Sequence, residues 1–175
     1  MKIYLSSGHD IKNDKGSGAH SEWGDEALLA AEVKYAVAAQ ISVMVDNDTM
    51  PLGTVVKDVN NRVGRYGLAV ELHFNSVSNR TAHGTLCVVA NSASAEAKKH
   101  AAAISRVVAE ALGTEDKGVR TERESGRDRL AFVRDTLCPA VIVEICFLSN
   151  EEDMLKFHNR REELVNGLVN YFKGL

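Results

Sequence analysis

One run of residues near the carboxyl terminus decides the fold: residues 139–150 read PAVIVEICFLSN. From Ala140 to Leu148 only the glutamate is not apolar, so a strand here would be buried on both of its faces. A second run, Leu68 to Phe74, is broken only by Glu71 and His73. Strands that are buried on both faces are typical of a parallel sheet that helices cover on each side.

Working outward from these runs, segments with helical periodicity separate further short apolar segments. The pattern predicts helices over residues 21–40, 52–66, 92–112 and 150–172, the first with Ser21 as its N-cap. It predicts other strands over residues 2–6, 41–45, 84–90 and 130–134. Because strands alternate with helices, we expect one α/β domain whose mostly parallel, twisted sheet of about five to six strands is flanked by helices.

The composition is that of an ordinary globular chain of 175 residues, 45% hydrophobic and 26% charged. Lys and Arg total 21 against 24 Asp and Glu, and this lack of a basic excess argues against a nucleic-acid partner. No apolar run reaches the roughly 18 residues that span a bilayer, so we expect no stable membrane insertion. The first residues turn polar too soon for a signal peptide and the three cysteines form no CxxC pair, which predicts synthesis in the cytoplasm.

Three titratable residues follow or interrupt the predicted strands. His9 comes directly after the first strand, His73 lies near the end of another, and Glu144 interrupts the most apolar one. Taken singly, each has a plain structural explanation: a loop histidine, a satisfied core histidine and a buried glutamate paired with an arginine. Together they are more informative, because imidazole and carboxylate are the ligands of catalytic zinc, and strand ends are where α/β sheets place their sites.

The order of these residues resembles a known family. The resemblance rests on Ser7-Gly8-His9, a glycine-containing loop, an acidic residue opening the first helix, the segment ELHFN at 71–75 and the segment PAVIVEICFLSN at 139–150. In this order they look like the zinc-dependent N-acetylmuramoyl-L-alanine amidases of the amidase-3 type, which occur in bacterial cell-wall hydrolases and phage endolysins.

The resemblance implies a metal site and a catalytic residue. Zinc would be held by His9, an acidic residue near positions 22 to 26, and His73, and Glu144 would be the catalytic acid/base. For the middle ligand Glu22 is preferred, because it directly follows the predicted cap at Ser21 and the family spacing fits it. Glu26 lies one helical turn further along the same face and remains the alternative.

The remaining polar residues have two interpretations each. His20 is predicted to be a loop histidine, with support or replacement of a metal ligand as the alternative. His83 precedes a strand and could face the cleft and contact the substrate. The stretch from Arg120 to Arg129 is either a solvated loop of mixed charge or a rim loop that meets peptide carboxylates. No HExxH, GxSxG or P-loop motif is present, so other hydrolase and nucleotide-binding classes have no support.

The resemblance also implies a function and a setting. We expect hydrolysis of the amide bond between N-acetylmuramic acid and L-alanine, with zinc as cofactor and peptidoglycan as partner. Residues 1–175 would form the catalytic domain with no separate wall-binding domain, and a phage or prophage endolysin that reaches the wall after release is favoured. The competing hypotheses are a zinc peptidase or deacetylase that cuts another bond, and a non-catalytic wall-binding module.

Overall fold

The computed structural model describes residues 1–11, 18–127 and 129–175, so part of the predicted glycine-containing loop and Asp128 lie outside the described residues. Six strands of the described chain form one sheet in the order β4-β1-β5-β8-β6-β7, and two further strands form a small antiparallel hairpin. The strands are β1 Lys2–Ser6, β2 His20–Ser21, β3 Gly24–Asp25, β4 Met44–Val45, β5 Gly67–Asn75, β6 Thr85–Val89, β7 Asp116–Thr121 and β8 Ala140–Phe147.

Helices cover both faces of the main sheet. They are α1 Glu26–Ala38, α2 Leu52–Arg62, α3 Ala95–Leu112, α4 Ala131–Asp135, α5 Glu151–Asn159 and α6 Arg161–Lys173. One core lies beneath α1, α3, α5 and α6, and a second, smaller core lies beneath α2 and α4. The predicted α/β domain with a mostly parallel sheet is confirmed.

Strand directions bring several strand ends to one edge of the sheet. β1, β4, β5 and β8 are parallel, whereas β6 is antiparallel to β8 and parallel to β7. Because side chains alternate along a strand, Glu71 and His73 share the α2/α4 face with Ala69, and Glu144 shares it with Ile142. Helices α2 and α4 pack against Ala69 and Ile142 on that face, and the polar residues come later along the same two strands.

The first helix begins later than predicted. The chain from His20 to Asp25 folds back as the β2–β3 hairpin, in which His20 pairs with Asp25. The helix therefore starts at Glu26 with Asp25 as its N-cap, and the prediction of Ser21 as the cap was wrong. Two-residue strands carry no periodicity that a sequence pattern could reveal.

Three other predictions differ from the structure. Residues 131–135 form the short helix α4 rather than a strand, since a short apolar run does not distinguish the two by periodicity. β7 was missed because it is a partly exposed edge strand with a charged sequence, DKGVRT. The last predicted helix is two helices that meet at Arg160.

Within the described part of the chain, none of the helices combines the length and apolarity needed to cross a membrane.

Candidate metal centre

Three parts of the chain bring His9, Glu26 and His73 together at the carboxyl edge of the sheet. His9 follows β1, Glu26 is the first residue of α1, and His73 lies near the end of β5. His9 Nε2 is 3.1 Å from Glu26 Oε1, and His73 Nδ1 is 3.0 Å from the same oxygen. One carboxylate oxygen thus contacts both imidazoles, whose ring centroids are 4.8 Å apart.

Glycines allow this close approach. Gly8 has a φ of +71°, and a Cβ atom there would overlap the imidazole of His73. Gly18 has a φ of +81°, and a Cβ atom there would lie 2.5 Å from Glu26 Oε2 and 2.8 Å from His9 Nε2. At both positions only glycine combines the left-handed backbone with the missing side chain.

Backbone amides fix the carboxylate of Glu26. The Ala19 amide donates to Oε2 at 2.9 Å, and the Phe74 amide donates to Oε1 at 3.1 Å. Burial by itself raises the pKa of Glu26, but the hydrogen bonds from His73 and His9 outweigh it and hold that pKa below its usual range. Glu26 is therefore an ionised carboxylate in a fixed orientation.

His73 is buried between two carboxylates. Its Nδ1 faces Glu26, and its Nε2 lies 3.2 Å from Glu71 Oε2 without an aligned hydrogen bond. Burial lowers the pKa of His73, but the hydrogen bond to Glu26 and the proximity of Glu71 raise it to about 10. The two neighbouring carboxylates therefore favour the protonated, positively charged form of the His73 imidazole.

Glu144 lies directly beside His73, since the two are register partners on the neighbouring strands β5 and β8. Glu144 is only 4% exposed, and its Oε2 has no hydrogen-bond partner among the described residues. Its other oxygen, Oε1, is 3.7 Å from Nη1 of Arg127. Burial raises the pKa of Glu144, although His73 and Arg127 oppose that shift.

The donor set fits a zinc ion. The ligand atoms of His9, Glu26 and His73 all lie within 4.8 Å of one another. Two ligand atoms that are each about 2.1 Å from a tetrahedral ion lie roughly 3.4 Å apart, close to the 3.0 and 3.1 Å measured here. Two imidazoles and one carboxylate are also a ligand set of catalytic zinc sites that leave one position open.

The structure does not bring Glu22, the preferred middle ligand, to this cluster. Its side chain is 70% exposed at the turn of the β2–β3 hairpin, 4.0 Å from Arg80. The alternative, Glu26, occupies the position between the histidines because the hairpin delays the start of the helix. The expected position of Glu22 between the two histidines is therefore corrected: the residue found there is Glu26.

Of the other candidates, His20 pairs with Asp25 and His83 with Glu115, and neither belongs to the three-residue cluster. Glu71 was missed as a site residue, although its position two residues before His73 places both side chains on one face of the strand. A glutamate inside an apolar run is the same signal that identified Glu144.

The sequence also matches a known protein family. Residues 3–170 match the family model described as N-acetylmuramoyl-L-alanine amidase. A comparison with curated proteins gives no match.

Solved structures share the fold at low sequence identity. The catalytic domain of CwlV, an N-acetylmuramoyl-L-alanine amidase from Bacillus (Paenibacillus) polymyxa var. colistinus, is 23% identical with a TM-score of 0.74, over 99% of each chain. The N-acetylmuramoyl-L-alanine amidase from Clostridium difficile 630 is 19% identical with a TM-score of 0.75, over 98% of this chain and 96% of that one. The catalytic domain of the CD27L endolysin, which targets Clostridia difficile, is 21% identical with a TM-score of 0.75, over 97% of each chain.

These likenesses show a common fold, while the family match spans nearly the whole sequence and includes all three residues of the cluster. The chain belongs to the N-acetylmuramoyl-L-alanine amidase family.

Proposed function

We propose that this chain is a zinc-dependent N-acetylmuramoyl-L-alanine amidase. It would hydrolyse the amide bond between N-acetylmuramic acid and L-alanine in peptidoglycan and so lyse the cell wall. The observation that carries the proposal is the His9, Glu26 and His73 cluster beside a buried Glu144 with an unpartnered carboxylate oxygen. The family match and the names of the similar structures agree with it.

The proposed zinc ligands are His9 through Nε2, Glu26, and His73 through Nδ1. When bound, zinc polarises a carbonyl group and makes water a nucleophile near neutral pH. Glu71 lies against Nε2 of His73, the ring nitrogen that faces away from Glu26. A carboxylate in that place keeps the proton on Nε2 and leaves Nδ1 free to donate its lone pair to a metal.

Glu144 is the proposed acid/base. Its unpartnered Oε2 accepts a proton from the attacking water, and the same carboxyl later delivers that proton to the nitrogen of the departing L-alanine. The C–N bond breaks as the nitrogen is protonated, which leaves a lactyl carboxylate on the sugar and a free amino group on the peptide. The burial that raises the pKa of Glu144 strengthens it as a base and eases the proton transfer.

The test is a product analysis of the purified protein. Peptidoglycan is digested with zinc-loaded protein, and with the protein after chelation, and the released fragments are identified by mass spectrometry. We expect stem peptides with a new amino group on L-alanine, formed only with metal. Release of acetate or a new D-amino-acid terminus would instead indicate a deacetylase or a peptidase. Binding to the wall with no cleavage by the loaded protein would indicate a non-catalytic module.

We also propose that residues 1–175 act as the catalytic domain and that its setting is a phage or prophage endolysin. One of the similar structures is the catalytic domain of the CD27L endolysin. Expression with and without a pore-forming partner tests this setting, because an endolysin lyses its host only when it can cross the membrane. Lysis that does not need the partner would contradict it.

A further inference from the structure

A basic groove leads away from Glu144 along the sheet. On the α2/α4 face, Glu144 pairs in register with Leu86 of β6, and Val88 of the same strand pairs with Arg120 of β7. Because residues two apart on a strand share a face, Arg120 lies on the same face as Glu144. The sheet itself therefore places an arginine two strands away from the proposed catalytic residue.

Two adjoining cavities follow this path. A recess of about 40 Å³ is lined by Glu144, Arg127 and Arg120. A wider cavity of about 370 Å³ shares Arg120 and Leu86 with it and continues to His83 and Lys117. We name these two cavities together the basic groove.

The two arginines supply the charge that a ligand would meet. Glu115 pairs with Lys117 at 2.6 Å and with His83 at 3.1 Å, so these two side chains are largely compensated. Arg120 is exposed, and the side chain of Arg127 is 52% exposed with its Nη1 3.7 Å from Glu144 Oε1. Guanidinium groups with free N–H donors bind carboxylates strongly and in a fixed geometry.

The other cavities near the cluster have the opposite character. Among the described residues, a recess of about 270 Å³ beside His9 is lined by Asp10, Asp46 and Glu71, and its one basic side chain is His9. A larger groove of about 740 Å³ lies beside the β2–β3 hairpin. Its lining includes one arginine, Arg80, and three glutamates, Glu22, Glu151 and Glu152. Of these cavities, and as far as the described residues line them, the basic groove is the one that matches an anionic ligand.

We propose that the basic groove binds a carboxylate of the stem peptide, so that the peptide extends from Glu144 over β6 and β7 and the muramic acid lies on the His9 side. The inference rests on the proposed function, since it assigns the two halves of the proposed substrate to two sides of the site. Arg120 and Arg127 are the residues that select peptides with free carboxylates over amidated ones.

The test compares two forms of one peptide: a stem tripeptide with free carboxylates, and the same peptide with carboxamides. The peptide is a product and is not turned over, so isothermal titration calorimetry on the zinc-loaded protein measures binding independently of catalysis. We expect the acid form to bind roughly 10- to 100-fold more tightly, as for a hydrogen bond to a charged group. The variant Arg120→Gln should lose most of that preference, and the control Arg80→Gln, an exposed arginine of the other groove, should keep it.

Equal binding of the two forms, no measurable binding of either, or loss of the preference in Arg80→Gln rather than Arg120→Gln would overturn the proposal. Hydrolysis of the two muramoyl tripeptides is measured in parallel. If binding prefers the acid form but neither substrate is cut, the proposed function fails while the groove assignment holds. If both are cut at equal kcat/KM and bound equally, the groove assignment fails while the function holds.

Discussion

The protein buries two clusters of charged side chains at the same edge of the sheet, and they differ in how completely their polar atoms are paired. In the first, the lysine cluster, Lys34 is fully buried against Asp46 and Asp48. Lys34 also donates to Ser7 Oγ at 3.4 Å and to the Asp46 carbonyl at 3.2 Å. Ser7 and Tyr35 both donate to Asp48, each at 2.5 Å.

The second is the metal cluster of His9, Glu26 and His73, with Glu71 and Glu144 beside it. Here two buried side-chain atoms, Nε2 of His73 and Oε2 of Glu144, have no hydrogen-bond partner among the described residues. Leaving such atoms unpaired has a free-energy cost of about 1 to 3 kcal/mol each. The paired polar atoms of the lysine cluster hold its loop in place, whereas the second cluster keeps the unpartnered Oε2 of Glu144, which can accept a proton.

The largest effect should come from removing the unpaired carboxylate. We expect Glu144→Gln to lower the hydrolysis rate by about 10²- to 10⁴-fold, the usual contribution of a general acid/base. Zinc content and the free energy of unfolding should not fall, because burial already penalises the charged form of Glu144. Product release from peptidoglycan, metal analysis and urea denaturation measure the three quantities. Near-wild-type hydrolysis by the zinc-loaded variant would remove Glu144 from the mechanism.

Breaking the saturated cluster should affect stability instead. Lys34→Met leaves two buried carboxylates without their cation, so we expect the free energy of unfolding to fall by about 3 to 5 kcal/mol. Lys156→Met is the matched control, since Lys156 forms a partly exposed helix pair with Glu152 at 2.7 Å, and its loss should change stability by less than about 1 kcal/mol. Equal effects of the two variants in urea denaturation would show that the lysine cluster is not structural.

The next comparison separates the two candidates for the middle ligand. Glu26→Gln should weaken zinc binding by more than the roughly 10- to 100-fold that loss of an outer partner costs, because it removes a direct ligand. Glu22→Gln, at the exposed hairpin turn, should leave the affinity within about twofold of wild type. Competition with a chromogenic chelator measures both. A larger loss in Glu22→Gln would return the ligand role to that residue.

Glu71 should have a smaller effect on the same measurement. Glu71→Leu removes the carboxylate beside Nε2 of His73 while roughly keeping its volume, and we expect zinc affinity to fall by about 10- to 100-fold. Glu71→Gln keeps an acceptor oxygen and should restore part of the loss, which a purely packing role would not predict. Unchanged affinity in the leucine variant would exclude Glu71 from positioning His73.

The smallest effect concerns the pH dependence of stability. Burial alone raises the pKa of Asp48, but hydrogen bonds from Lys34, Ser7 and Tyr35 outweigh it and lower that pKa below the ordinary 3.8. A carboxyl with a lowered folded-state pKa stabilises the protein fully above its unfolded pKa and loses that contribution as the pH falls further.

We therefore expect the stability difference between wild type and Asp48→Asn to shrink between pH 6 and pH 3. Asparagine tolerates the left-handed backbone that Asp48 adopts, with a φ of 59°, so the substitution tests charge rather than strain. Urea denaturation across this pH range measures the difference. A constant difference would mean that the charge of Asp48 is not what its partners stabilise.

The fold was largely predictable because β5 and β8 are apolar on both faces, and such runs have few other interpretations. The grouping of His9, His73 and Glu144 could be predicted because each is a polar residue that follows or interrupts an apolar strand. Glu26 could not be distinguished from Glu22 because its position depends on the Phe74 amide, 48 residues away, and on a hairpin of two-residue strands. Glu71 carried a signal in the sequence, its place two residues before His73, whereas Arg120 becomes a site residue only through the strand register, which a single sequence does not show.

The tight turn from Ser7 to His9 has a consequence for cooperativity. Ser7 belongs to the lysine cluster and His9 to the metal cluster, and the His9 amide donates to the Ser7 carbonyl at 2.8 Å. The contacts of the lysine cluster thus order this turn without a metal, so the loss of chain entropy does not have to accompany metal binding. Such ordering is preorganisation. Zinc bound at His9 as proposed would therefore be coupled to the packing of Lys34, and by thermodynamic reciprocity a substitution in either cluster would weaken both.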